Sequence, residues 1–95
     1  MRAILLAGAA LCCIQIALAP VARAADREFC ERYARHAREQ TERAREGRCW
    51  RTFDMRNARW ESSYEDHFRW CRRADFREVE RESEIRQHEL RRCGM

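Results

Sequence analysis

Apolar positions fall into one long run, Ala3 to Ala19, broken only by Gln15, and three later stretches in which they recur at helical spacing. In the first of these, Phe29, Cys30, Tyr33, Ala34, Ala37, Thr41 and Ala44 fall within an arc of about 140° when residues are placed 100° apart. Asp26 stands where an N-cap belongs and Gly47 where a helix usually stops, so a helix is predicted from about Asp26 to Glu46. The other face carries Glu28/Arg32, Glu31/Arg35, Arg35/Glu39 and Glu39/Arg43 at i,i+4. Such pairs contribute about 0.2–0.5 kcal/mol each and support the helix without defining a site.

The second stretch, RWESSYEDHFRWCRR at residues 59–73, holds two tryptophans, a tyrosine, a phenylalanine and a histidine. Trp60, Tyr64, His67, Phe68, Trp70 and Cys71 lie within about 160° of one helical surface, with Glu61, Glu65, Asp66, Arg69, Arg72 and Arg73 opposite. Ser62-x-x-Glu65 and Ser63-x-x-Asp66 both fit a capping box or its acidic variant, and Trp60 then stands as a staple residue before the cap. A third helix is predicted from Asp75 to about Cys93. Its narrow apolar face is Phe76, Val79, Ser83, Leu90 and Cys93, with Arg86 and Gln87 at the edges and Ile85 turned away. The 48–59 connection shows no clear pattern. From Ala25 onward the β-branched residues are only Thr41, Thr52, Val79 and Ile85, and proline is absent. The fold class expected is all-α.

The first apolar run has a different meaning. Met1-Arg2, the run itself, Pro20 and Ala22-Arg23-Ala24 follow the order of a secretory signal peptide, so residues 1–24 are read as a leader cleaved after Ala24. An uncleaved anchor is the alternative, but the run is short for a span of about 20 residues. Cys12 and Cys13 would leave with the leader, and residues 25–95 form a single four-cysteine helical domain in the periplasm or outside the cell.

Cys30, Cys49, Cys71 and Cys93 remain, an even number in a short exported chain, which reads as two disulfides. Structural zinc sites usually bring cysteines in close pairs, and these are widely spaced. Two long helices with a cysteine at each end suit an antiparallel hairpin, giving Cys30–Cys93 and Cys49–Cys71. The rival, Cys30–Cys71 with Cys49–Cys93, would ask a middle helix of about 18 Å to span the whole length. The expectation is therefore a small disulfide-stapled helical hairpin with a short third helix. The two bridges contribute about 3–4.5 kcal/mol each in the chain-entropy model, and reduction should unfold so thin a core.

Charge narrows the function classes. The basic residues number 20, all arginine, against 16 acidic ones, and loss of Arg2 and Arg23 takes the formal net charge from +4 to +2. Nearly every arginine has an acidic neighbour, unlike the single-sign patch that binds phosphate backbones, so nucleic acid is not an expected partner. No membrane association is expected after leader cleavage, and a monomer is favoured.

The series Cys30-x2-Tyr33-Ala34-x2-Ala37, Arg59-Trp60, His67-x2-Trp70-Cys71 and Glu89-Leu90-Arg91-Arg92-Cys93 resembles a recurrent four-cysteine unit of small exported proteins of Gram-negative bacteria. The likeness covers Cys30 to Cys93 and implies location and fold, with no activity attached. In that unit a glycine directly precedes the second cysteine. Here Arg48 stands there and Gly47 one place earlier, so the turn is expected to differ.

Candidate chemistry is sparse. His67 is the ionisable group in the aromatic stretch, a candidate metal ligand or pH-sensitive contact, or else a buried histidine bonded to a backbone carbonyl. In the hairpin register His36 and His88 reach the same level, a weak candidate metal pair. Cysteines in disulfides are not nucleophiles, and no serine sits beside a histidine and a carboxylate, so no enzyme activity and no cofactor are expected. The reading reached is a non-enzymatic exported module that binds an unknown protein or envelope component. Its expected surface is Trp60, Tyr64, His67 and Trp70, beside a Cys49–Cys71 bridge. The alternatives are a metal-binding protein, using His67 or His36 with His88, and an inhibitor of a secreted hydrolase acting through the 48–59 loop.

Overall fold

The computed structural model describes residues 23–95, and the Ala3 to Ala19 run, read above as the body of a leader, lies outside the described residues. Asp26 opens the first helix, α1 (Arg27–Glu46), by accepting from the Phe29 N–H at 2.8 Å. Ser63 opens α2 (Tyr64–Arg73) through the Asp66 N–H, and Asp75 opens α3 (Phe76–Arg92) through the Arg77 N–H. Each cap satisfies an N–H that a helix start leaves unpaired. Between α1 and α2 the chain makes two short 3₁₀ turns, Cys49–Arg51 and Ala58–Trp60. Among the described residues there is no strand, only one isolated bridge between Ala24 and Asp75. The all-α, disulfide-stapled class is as expected.

The cysteine pairing is not. Cys30 bonds to Cys71, with Cα atoms 5.6 Å apart, and Cys49 to Cys93, with Cα atoms 5.5 Å apart. The expected Cys30–Cys93 and Cys49–Cys71 bridges are absent, and with them the antiparallel hairpin of the two long helices. α3 instead runs parallel to α1. Phe76 packs on Phe29 at one end (ring centroids 4.8 Å apart), Gln40 Nε2 meets Gln87 Oε1 at 3.5 Å along the way, and Cys49–Cys93 closes the other end. α2 is the antiparallel member, joined to α1 by Cys30–Cys71 and by the Thr41 hydroxyl, which donates to the Glu61 carbonyl at 3.3 Å. The return path from Cys49 to Cys71 is not covered by helix alone. A residue advances about 1.5 Å in a helix and up to about 3.3 Å when extended. The irregular 47–63 connection therefore makes up the distance that the 10 residues of α2 cannot.

Two apolar clusters result, one at each bridge. Ala25, Cys30, Tyr33, Ala37, Cys71, Ala74 and Val79 form the first, with Phe29, Phe68 and Trp70 packed against them. Ala44, Cys49, Trp60 and Leu90 form the second, with Phe53 and Met55 against them. The small side of α1 lets both partners approach closely, since Ala34, Ala37 and Ala44 are all buried. Parallel packing puts the C-terminal ends of α1 and α3 together, and each carries arginines in its last turn (Arg43 and Arg45, Arg91 and Arg92), opposite in sign to the helix dipoles.

The turn after α1 is made by Gly47 and Arg48. Gly47 keeps right-handed backbone angles, and Arg48 takes the left-handed conformation (φ 55, ψ 40) that glycine adopts most easily. The expected leader cleavage point falls between Ala24, which is exposed, and Ala25, which is buried. The Arg23 carbonyl accepts from the first amide of α3, Phe76, at 2.8 Å, and Arg72 Nη1 donates to the Ala25 carbonyl at 3.1 Å.

Candidate binding cleft

On the periodic pattern of α3, Arg86 sits at the rim of the apolar face. In the folded chain it is one of the most deeply buried residues, with 1 % of its surface exposed. Its Nε donates to the Arg59 carbonyl at 2.9 Å, Nη2 donates to the Tyr33 hydroxyl, and Cζ lies 5.0 Å from the Tyr33 ring centroid. Nη2 also approaches His67 Nδ1 at 3.5 Å. Nη1 is buried with no hydrogen-bond partner. None of these acceptors is a carboxylate. Glu82, one turn earlier on α3, is held by Arg59, with Nη2 to Oε2 at 3.3 Å and Nε on Oε1. Burying a guanidinium against neutral acceptors alone is costly, because their dipoles replace the lost hydration only in part.

His67 is placed by α2 so that its Nε2–H donates to the Glu61 carbonyl, which leaves Nδ1 as the acceptor facing Arg86. Only 4 % of its surface is exposed. Burial holds the imidazole below its ordinary value of 6.5, the Glu61 carbonyl opposes that shift, and the Arg86 charge adds to it. The ring is therefore neutral under physiological conditions, as one needs beside a guanidinium. Burial likewise raises Tyr33, with Arg86 opposing, so its hydroxyl stays protonated.

Arg86, His67 and Glu82 border a cleft of about 780 Å³ between the Ala58–Trp60 turn, α2 and α3, whose walls also include Ala58, Arg59, Asp66, Arg69, Trp70 and Arg73. Its size is within the ~300–1,000 Å³ typical of small-molecule sites. Arg69 is paired with Asp66 at 3.0 Å, whereas Arg73 has no ion-pair partner among the described residues.

Of the surface residues expected from the sequence, the cleft brings together His67 and Trp70. Trp60 is not among its walls. It belongs to the 3₁₀ turn before α2, is 2 % exposed, and stacks on Phe53 with centroids 4.8 Å apart. Trp60 precedes the Ser63 cap, where the capping-box reading placed it, but its ring is buried instead of forming part of the expected surface. Tyr64 stacks on Phe68 (6.1 Å, 11°) away from the cleft, and the Cys49–Cys71 bridge meant to border the surface does not form. His36 and His88 are both exposed, and the parallel register that pairs Gln40 with Gln87 sets them at different levels. Among the described residues no group of three or more His, Cys, Asp or Glu side chains is placed to hold a metal ion. Arg86 and Tyr33 could have been found as polar groups on or beside apolar helix faces, but nothing in the sequence signalled the Arg59 carbonyl.

Comparison of the chain with protein families, curated proteins and solved structures gives no match, so the site is read from its own geometry.

Proposed function

We propose that this protein is a non-enzymatic binding module of the cell envelope, exported by its leader, which engages its ligand or partner through the cleft between the Ala58–Trp60 turn, α2 and α3. The observation that carries the reading is a preformed cleft with one aromatic wall, Trp70, over a buried charged cluster, in a chain braced by a disulfide at each end. Two intramolecular disulfides are the mark of an oxidising compartment, and no helix among the described residues is long and apolar enough to cross a membrane. The non-catalytic reading draws support from the four cysteines being bonded and both His67 nitrogens being engaged. The resemblance to four-cysteine exported proteins of Gram-negative bacteria is part of the same proposal.

A photo-crosslinking amino acid at Ala58 or Arg69, introduced in the bacterial envelope, tests it against the same probe at Arg38 on the exposed face of α1. A discrete adduct from the cleft positions alone is expected. Equal labelling from Arg38, or none from the cleft, overturns the assignment.

One observation favours a second reading, the hydrolase inhibitor. Trp50 is 55 % exposed on a turn tied down by Cys49–Cys93, the kind of rigid aromatic anchor that dominates tight interfaces. Under that reading Trp50→Ala removes inhibition and spares folding, while cleft substitutions leave inhibition intact.

A further inference from the structure

We propose that the cleft binds a singly charged carboxylate on an organic ligand, with Arg86 and Arg73 as its counter-charges and Trp70 as the wall against the ligand body. The inference rests on the binding reading above and deepens it.

The charges that border the cleft do not balance. Arg59, Arg69, Arg73 and Arg86 face Glu61, Asp66 and Glu82, with His67 neutral. Arg59 is taken by Glu82 and Arg69 by Asp66, and the Glu61 carboxylate accepts from the Ser62 amide at 3.1 Å. Arg86 and Arg73 are left without a carboxylate among the described residues. Of the two, Arg86 cannot turn to solvent. Its Nε and Nη2 are fixed by Arg59 and Tyr33, and its Nη1 lacks an acceptor. A buried guanidinium held by neutral groups, with one donor unspent, is completed by an anionic acceptor, which binds with charge-assisted geometry.

The same cleft selects the anion. Four arginines and three carboxylates border it, so a first negative charge on the ligand meets a net positive lining and a second meets one already neutralised. One net positive charge calls for one negative charge, which favours carboxylate over phosphate dianion. Ala58 and Trp70 give an apolar wall beside the charge, and the cleft volume leaves room for an organic body larger than the carboxylate itself.

Titration of the disulfide-intact protein with benzoate, followed by NMR at the Arg86 Nε–H and the Trp70 indole N–H, tests this. Benzamide serves as the uncharged match and inorganic phosphate, at equal ionic strength, as the other oxyanion. A saturable benzoate shift at both groups is expected, with benzamide and phosphate weaker by about tenfold or more, the loss that follows from one charge-assisted hydrogen bond. Arg73→Gln, at an exposed position where folding is not at stake, should weaken benzoate by a similar factor. Arg86→Lys keeps the charge but not the fork and should weaken it further. Equal binding of benzamide, tighter binding of phosphate, or no saturable shift at either group overturns the carboxylate assignment. If cleft cross-links persist while benzoate fails, the binding module stands with a ligand of other chemistry. If both fail, the binding reading falls as well.

Discussion

The Cys30–Cys71 end and the Cys49–Cys93 end of this molecule are closed by the same bond and built from different material. At the first, the chain is helical on both sides of the bridge, and the cluster follows from the periodic faces of α1, α2 and α3. At the second, α1 and α3 meet an irregular segment, and the bulk comes from Trp60, Phe53 and Met55, none of them in an α-helix. The first end also shoulders the polar cluster of Tyr33, His67 and Arg86, whereas the second is apolar. One end is thus specified by local pattern and carries the candidate chemistry. The other depends on where a loop settles, and it holds the long helices in parallel.

Removing the bridges should have the largest effect on both ends. The sequence separations they span, 41 and 44 residues, are so similar that chain entropy alone predicts the same loss, about 4 kcal/mol for each. Full reduction should therefore unfold the chain. Single-bridge variants, Cys30→Ala with Cys71→Ala and Cys49→Ala with Cys93→Ala, should be compared by urea denaturation. A larger loss for the second pair is expected, because nothing periodic holds the loop once its anchor is gone, whereas equal losses would mean the packed loop is as self-sufficient as the helices.

Trp60→Ala attacks the apolar end directly. Truncating a tryptophan that is 2 % exposed should cost about 3–5 kcal/mol, while Trp50→Ala, at 55 % exposure, should stay within about 0.5 kcal/mol. Thermal melts of the two variants check this, and similar midpoints would remove Trp60 from the core.

The polar end should respond to pH where the apolar end does not. His67 is held below its ordinary value of 6.5, so its contribution is fully present above that value. As pH falls below 6.5 the unfolded chain takes up the proton first, and stability declines toward the lower folded value. The decline should vanish in His67→Gln, measured by denaturant midpoint across the acid range, and its persistence there would assign it to other groups. The smallest expected effect is a gain. Arg48→Gly relieves a left-handed residue and should stabilise by about 0.5–1 kcal/mol, read from the melting temperature.

How much was legible follows the same division. Asp26, Ser63 and Asp75 were identifiable as caps because a cap reports on its own next three residues. The buried stripe of α1 was read almost whole, with Gln40 missed because a polar side chain at an apolar position gives no sign that a partner helix will cover it. Trp60 was placed before the cap of α2, as found, but its burial against Phe53 depends on the fold of the 47–63 connection, which has no periodic pattern. His67 and Trp70 were named as candidates and lie together in the cleft, but the residue that organises it, Arg86, is one of five arginines on α3 and was left at the edge of its apolar face.

By itself, then, the sequence determined the helices, their caps, their apolar faces and the need for two disulfides. All of these depend on residues a few positions apart or on composition. Tertiary structure alone decided which cysteines meet, that α1 and α3 run parallel, and that an arginine lies buried without a carboxylate. Those outcomes hang on the path of the 47–63 connection. Helical rise is fixed at about 1.5 Å per residue, but an irregular segment can cover anything up to about twice that, so its direction is set by what it packs against.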